Sequence, residues 1–171
     1  MRLGLRAAVS SPSLSCALSN PVEPMSQHHS VSVVLDAGYK VRSRTHSHVI
    51  VSDEPRDLGG TDLGPNPYEL LLTSLGACAA ITLRMYAERK GWPLETVQID
   101  LHHEKVYRKD CEACVTEGAE NEKLDVIRRD VRIVGDLDDA QRKRLEEMIV
   151  RCPVHRTLTS ETVIVDAFDH R

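Results

Sequence analysis

The organisation of the chain is decided by residues 64–93, which read GPNPYELLLTSLGACAAITLRMYAERKGWP. Asn66 is a favourable N-cap, and Pro67 suits the first helical position because its missing N–H would have no partner there. Gly91 supplies a C-terminal stop. The stretch therefore predicts one long helix over residues 67–90.

The middle of this helix consists of small residues around a cysteine. Gly76, Ala77, Ala79 and Ala80 surround Cys78. Protein interiors are closely packed, and small side chains let a neighbouring backbone approach. We therefore expect a central, buried helix beside a partner element.

Short β-branched segments on both sides of the helix predict antiparallel strands. A Gly- and Pro-rich loop over 53–65 separates the first group from the helix. The predicted strands are 31–35, 39–44, 48–52, 96–107, 124–134 and 163–165, with a second helix over 136–150 and a helical turn over 153–160. The order βββ-α-ββ-α-β belongs to the α+β fold class.

Size and charge exclude several classes of function. A chain of 171 residues favours one domain. Its net charge of −4 gives no electrostatic reason to bind nucleic acid or an anionic membrane. We expect no transmembrane helix, because no run of 18 apolar residues occurs.

The N-terminal segment 1–24 differs from the remainder of the chain. It is rich in Ser and Ala and contains no acidic residue before Glu23. It is either a cleavable organelle presequence or a disordered extension, with Met25 as an alternative start. The predicted domain is 25–171, and we expect no role for Cys16.

Five cysteines indicate thiol chemistry rather than a disulfide scaffold. Their odd number, in a chain of this length, favours reduced or redox-cycling thiols in the cytoplasm. The cysteines are Cys16, Cys78, Cys111, Cys114 and Cys152.

Cys78 needs a cation from elsewhere if it is to react as a thiolate. It lies far from the start of its own helix, and Arg84, six positions on, points about 240° away. Arg42 and Arg44 share one face of a predicted strand and are candidates. Alternatively, Cys78 packs as a small hydrophobe and both arginines are exposed strand charges.

Cys152 lies where it can act as N-cap to the turn that begins at Pro153. Arg151, His155 and Arg156 are nearby. Local chemistry alone therefore predicts that Cys152 is the more acidic of the two thiols. The alternative is a buried, inert cysteine.

Cys111 and Cys114 form a Cys-x-x-Cys motif. It can stiffen a loop, cycle as a redox pair, or bind a metal together with His102 or His103 upstream. No second close-spaced ligand pair follows in the sequence, so we assign no metal ligands.

Two motifs resemble the cysteine motifs of the OsmC/Ohr family: residues 64–78 and Arg151-Cys152-Pro153-Val154-His155. The resemblance covers roughly residues 30–168. It implies an OsmC-like fold, with antiparallel sheets around a long central helix. It also implies an intertwined homodimer in which both cysteines meet at each subunit interface.

The resemblance further implies a reaction without a bound cofactor. Cys78 would attack an organic hydroperoxide, Cys152 would resolve the product as a disulfide, and a thiol reductant would restore both in an antioxidant cycle. This order reverses the acidity ranking from local chemistry. Arg42, the more central candidate, would activate Cys78 and be held by a carboxylate. The peroxidases place that carboxylate at the position of Tyr68, so here Glu69 is the substitute.

Two other functions use the same residues. One is a non-catalytic protein of the same fold that binds a small ligand or senses redox state. The other is a zinc-stabilised protein. Undiminished ligand binding after Cys78→Ser favours the first, and zinc in the purified protein favours the second.

Removal of residues 1–24 should leave the melting temperature unchanged. The segment has no periodic apolar face with which to bury surface against the domain. Thermal unfolding of the full-length and truncated proteins checks this. A large fall on truncation would show that the segment is part of the fold.

Overall fold

The computed structural model of the protein describes residues 29–111 and 118–170. The chain divides after Ser30, and all elements belong to the second unit. The predicted extension, 1–24, lies outside the described residues. The elements are β1 (Ser32–Leu35), β2 (Val41–Arg44), β3 (Val49–Ser52), α1 (Pro67–Lys90), β4 (Leu94–Tyr107), β5 (Lys123–Gly135), α2 (Asp139–Met148) and α3 (Pro153–Thr159).

Helix α1 begins and ends at the predicted residues. The Asn66 side chain accepts a hydrogen bond from the Glu69 backbone N–H at 2.9 Å, and the Glu69 carboxylate accepts one from the Asn66 N–H at 2.8 Å. Gly91 closes the other end with a φ of 66°, a conformation that costs a glycine little. Both helix ends are therefore fixed by local chemistry.

The strands form two antiparallel sheets. Strands β1, β2 and β3 make one meander, and β4 and β5 make a long two-stranded sheet. In the second sheet Leu101 lies opposite Arg129. Val97, Ile99 and Leu101 are more buried than the residues between them, as the predicted alternation required.

The core lies where α1 meets β4, β5 and the C-terminal helices. Two clusters of buried residues run along α1. The first contains Leu83, Tyr86, Ala87, Leu94, Leu137, Leu145 and Met148. The second contains Leu75, Ala79 and Cys152, and it holds the C-terminal helices against the middle of α1.

The second predicted helix is shorter than expected. Asp138 caps α2 by accepting a hydrogen bond from the Gln141 backbone N–H at 2.8 Å. After α2, a 3-10 turn over Ile149–Arg151 leads into α3. The predicted helical turn at 153–160 is thus confirmed as a separate helix.

The predicted last strand, 163–165, is wrong for a single chain. In the described part of the chain no strand follows α3. Val163, Ile164 and Val165 are 76%, 82% and 86% exposed. An apolar β-branched segment predicts strand propensity, but it forms a strand only beside a free sheet edge.

By length and composition, α1 is apolar enough to cross a membrane, and it is the one such helix among the described residues. The criterion of 18 consecutive apolar residues did not detect it. A core helix has the same composition. Because α1 packs against β4, α2 and α3, we assign it to the core.

Candidate active site

Cys78 is a free, half-buried thiol in the middle of α1. The carbonyl of Cys78 accepts a hydrogen bond from Thr82 Oγ1 at 2.8 Å. Arg84 donates to the carbonyls of Leu94 and Glu95. As predicted, Arg84 is thus engaged at the start of β4 rather than at the thiol.

Cys152 is a free thiol with no exposed surface. It caps α3, because its sulfur accepts a hydrogen bond from the His155 backbone N–H at 3.3 Å. Pro153 occupies the first helical position. The predicted capping role of Cys152 is therefore confirmed.

The fold brings the two thiols together. Cys152 lies in the cluster with Leu75 and Ala79, and Cys78 packs against that cluster. Leu75, Cys78 and Ala79 occupy one side of α1, so the helix presents its thiol toward the start of α3. These two motifs, far apart in sequence, thus form one site.

Burial raises the pKa of the Cys152 thiol. The His155 backbone N–H acts in the opposite direction, the nearby Cys78 raises the pKa further, and the Arg129 guanidinium lowers it. Capping by the His155 N–H therefore does not lower the pKa of Cys152 below its ordinary value, because desolvation of the anion outweighs the hydrogen bond.

Arg129 is a site residue that sequence reasoning missed. It lies on β5, and its charge acts on both Cys152 and His155. The signal was present in the sequence, because Arg129 shares the face of Val131 and Ile133 at a two-residue spacing. An arginine on the same strand face as core residues indicates a charge that is directed toward the core.

A single chain does not bring Arg42 to the thiols. Among the described residues, the Arg42 guanidinium has one hydrogen-bond partner, the Asp36 carboxylate at 2.7 Å, and it is 60% exposed. Arg44 is also exposed on β2. These two candidates lie on the β1–β3 sheet, whereas both thiols lie where α1 packs against the start of α3.

Glu69 is one of the residues that line a groove between α1 and β4. The groove has a volume of about 500 Å³ and an apolar floor that includes Ile99 and Leu101. A methyl group added at Gly76 would come within 2.8 Å of the Leu101 side chain, so helix and strand are in close contact there. The small residues of α1 thus create both the groove and this contact.

Tyr68 is turned toward β4. Its ring stacks on His103 with centroids 4.4 Å apart. His103 in turn contacts the Asp125 carboxylate at 2.7 Å, and Lys105 contacts the same carboxylate. At the position where the OsmC/Ohr resemblance implies a carboxylate, the chain therefore has an aromatic ring in a polar cluster.

The Cys-x-x-Cys motif lies partly outside the described residues. Cys111 is disulfide-bonded, and Cys114 falls within the range 112–117 that is not described. Within residues 29–111 and 118–170, no three His, Cys, Asp or Glu side chains are grouped to hold a metal ion.

The fold and the paired free cysteines define a small α+β thiol protein. A family model described as "OsmC-like protein" matches residues 60–166. The chain therefore belongs to the OsmC-like protein family, which confirms the resemblance inferred from its two cysteine motifs. No curated protein sequence matches the chain.

Solved structures share this fold at low sequence identity. An OsmC-like protein from Mycoplasma pneumoniae is 20% identical with a TM-score of 0.61, covering 78% of this chain and 89% of its own. The organic hydroperoxide resistance protein OsmC from Legionella pneumophila is 17% identical with a TM-score of 0.57, covering 80% and 92%. An organic hydroperoxide resistance protein from Elizabethkingia anophelis is 14% identical with a TM-score of 0.56, covering 79% and 91%.

Iodoacetamide should modify Cys78 before Cys152 in the reduced protein near neutral pH. Cys152 is fully buried and its pKa is raised, so it offers little accessible thiolate. Peptide mass mapping over time measures the order, with denatured protein as the control in which both react. Earlier labelling of Cys152 would contradict this assignment.

Proposed function

We propose that the protein is a cytoplasmic, thiol-dependent peroxidase that reduces organic hydroperoxides in an antioxidant role. The observation that carries the proposal is the packing of two free cysteines, Cys78 and Cys152, in one buried cluster. Two thiols in one cluster suit a cycle between dithiol and disulfide. Membership of the OsmC-like family supports the choice of substrate, as does the fold shared with the organic hydroperoxide resistance proteins of Legionella and Elizabethkingia.

In the first step the Cys78 thiolate attacks the terminal oxygen of the hydroperoxide. The O–O bond breaks, the sulfur gains an oxygen as sulfenic acid, and the alkoxide takes a proton and leaves as an alcohol. Cys78 suits this step because it is only half-buried, whereas Cys152 has no exposed surface. The substrate therefore meets Cys78 first.

In the second step the Cys152 thiolate attacks the sulfenic sulfur of Cys78. A disulfide forms, and the hydroxide that leaves takes up a proton to become water. An external thiol or dithiol then reduces the disulfide and restores both cysteines. No bound cofactor takes part in this cycle.

Activation of Cys78 is assigned to Arg42, with Glu69 to orient it. In one chain these groups are engaged elsewhere, Arg42 with Asp36 and Glu69 with the helix cap. The assignment therefore requires the β1–β3 sheet of a second subunit to carry Arg42 to the thiol.

A homodimer is supported by the apolar surface that one chain leaves exposed. On α1, Ile81 and Met85 are 58% and 65% exposed and follow Ala77 at helical spacing. Further apolar residues are exposed on the β1–β3 sheet and along 163–168. Exposed apolar side chains in such number are typical of a chain with an interface to cover.

A second candidate function is binding of a small apolar ligand without turnover. The observation that favours it is the groove between α1 and β4, whose lining includes Leu72, Ile99 and Leu101 but neither thiol. Ligand affinity that is unchanged by Cys78→Ser, in a protein that does not consume peroxide, would establish this function instead.

The reduced protein should consume cumene hydroperoxide stoichiometrically and form a Cys78–Cys152 disulfide. The reason is that the second thiol lies beside the first and traps the sulfenic acid. Peroxide loss and mass mapping of the oxidised protein measure this. Cys78→Ser should abolish the reaction, and finding no new disulfide at these residues would refute the cycle.

The protein should be a homodimer in solution, because the apolar surface of α1 needs a partner. Light scattering gives the mass directly. Met85→Glu should weaken association, since it places a charge in the exposed apolar stripe of α1, while Lys90→Gln, exposed on another side of the same helix, is the control. A monomer mass for the wild type would contradict the proposed interface.

Arg42→Ala should slow peroxide reduction about tenfold or more and leave the fold unchanged. Loss of an adjacent cation can raise the thiol pKa by about two units, and the higher nucleophilicity of the remaining thiolate offsets about half of the lost thiolate on a logarithmic scale. The rate should recover partly at higher pH, where thiolate forms unaided. The measurement is the pH–rate profile of alkylation at Cys78 in wild type, Arg42→Ala and Arg44→Ala. Three superimposable profiles would mean that neither arginine activates the thiol.

A further inference from the structure

Arg129 occupies an unusual position for a charged residue. Its side chain lies on the same face of β5 as those of Ile127, Val131 and Ile133, which are two, two and four residues away. Ile127 packs against the cluster that contains Cys152, and Ile133 packs against the other core cluster. Arg129 therefore lies between two apolar clusters, on the side of the sheet that faces the helices.

The guanidinium of Arg129 has a buried donor that pairs with no group in the described part of the chain. Among the residues that the structure describes, no group accepts a hydrogen bond from the buried Nη1. Its cross-strand neighbour is Leu101, which also packs against the thiol cluster. By contrast, Arg128 on the outer face pairs with Glu104 at 2.8 Å. Since leaving a buried donor unpaired destabilises a protein, the position requires an explanation.

The positive charge acts on the residues that begin α3. It lowers the pKa of Cys152, and after burial it is the second cause that lowers the pKa of His155. His155 is thereby held neutral, so it does not supply the positive charge. Arg129 is therefore the group that carries a permanent positive charge beside Cys152.

We propose that Arg129 stabilises the thiolate of Cys152 during the resolving step, so that it acts on the second cysteine and not on the first. This inference rests on the proposed peroxidase function and extends it. It gives the two thiols separate cations, Arg42 for Cys78 and Arg129 for Cys152, from different sheets.

The arrangement also orders the two steps. The side chain of Cys78 raises the pKa of Cys152, first through the hydrogen bond between the two sulfurs and then through charge repulsion. Reaction with a hydroperoxide converts Cys78 to a neutral sulfenic acid, and this repulsion ends. The attraction from Arg129 and the hydrogen bond from the His155 backbone remain. Cys152 therefore ionises more readily once Cys78 has been oxidised.

Within residues 29–111 and 118–170, few ionisable groups face Cys152. From α1 the group is Cys78, from β5 it is Arg129, and from α3 it is His155. On β4, His103 lies farther along the strand and contacts Asp125. Arg151 precedes Cys152 but is exposed. Arg129 is thus the cation whose removal should change the Cys152 thiolate.

The decisive experiment titrates Cys152 by the ultraviolet absorbance of its thiolate, in full-length protein with Cys78→Ser. This background removes the first thiol and imitates the neutral state that follows oxidation. The difference from Cys78→Ser/Cys152→Ser isolates the signal of Cys152. Arg129→Gln and Arg129→Lys are compared with Arg132→Gln, a control on the exposed opposite face of β5.

Arg129→Gln should raise the midpoint by about one pKa unit, as expected for loss of a nearby opposite charge. Arg129→Lys should stay close to the parent, and Arg132→Gln should not change it. Equal midpoints for the parent and a folded Arg129→Gln would overturn the proposal. If Arg129→Gln does not fold, a parent-like midpoint in Arg129→Lys together with a raised one in Arg129→Met supports it, and a parent-like midpoint in Arg129→Met overturns it.

A kinetic experiment separates the two steps in protein that retains both cysteines. In a single turnover, Arg129→Gln should slow disulfide formation about threefold relative to formation of the sulfenic acid. Thiolate falls tenfold for each unit of pKa, while each remaining thiolate is about threefold more nucleophilic. Dimedone should therefore trap more sulfenic acid at Cys78. Unchanged disulfide formation would overturn the inference. A wild type that ignores peroxide would refute the peroxidase function alone, and the titration would still decide the role of Arg129.

Discussion

The structure depends on how the long helix α1 is covered. Its composition leaves apolar side chains on several faces, and a helix that is apolar nearly all round must be buried nearly all round. The β4–β5 sheet and the C-terminal helices cover the side that carries Leu75, Ala79 and Leu83. Ile81 and Met85 stay exposed on another side. The groove, the thiol cluster and the proposed interface are all consequences of this incomplete cover.

Burial also determines the chemistry of the two cysteines. The same packing that brings Cys152 to Cys78 removes it from water, which disfavours its charged form. A resolving thiol must nevertheless become an anion in order to react. The fold offsets the desolvation with a backbone N–H from His155 and a guanidinium from Arg129. The position of this thiol and the charges around it therefore depend on three different elements, α1, α3 and β5.

Local features of the sequence predicted local structure well. The ends of α1 follow from Asn66 and Gly91, whose effects extend over one helical turn, and the capping role of Cys152 was predictable for the same reason. The failures concern interactions between distant residues. The segment 163–165 has strand propensity without a sheet edge beside it, and the raised pKa of Cys152 arises from burial that no local pattern specifies. The core-facing side chain of Arg129 could have been predicted from its two-residue spacing to Val131 and Ile133. Its proximity to Cys152 and His155 could not, because these residues are distant in sequence.

The capping role of Cys152 links the sulfur to the backbone of α3. Because the same sulfur accepts the His155 amide hydrogen at 3.3 Å, any change of its chemical state alters that hydrogen bond. A thiolate accepts more strongly than a thiol, whereas a sulfur joined to another atom has less electron density to offer. The amide proton of His155 is consequently an internal spectroscopic reporter, whose nuclear magnetic resonance frequency reflects the redox state of the protein without any added probe.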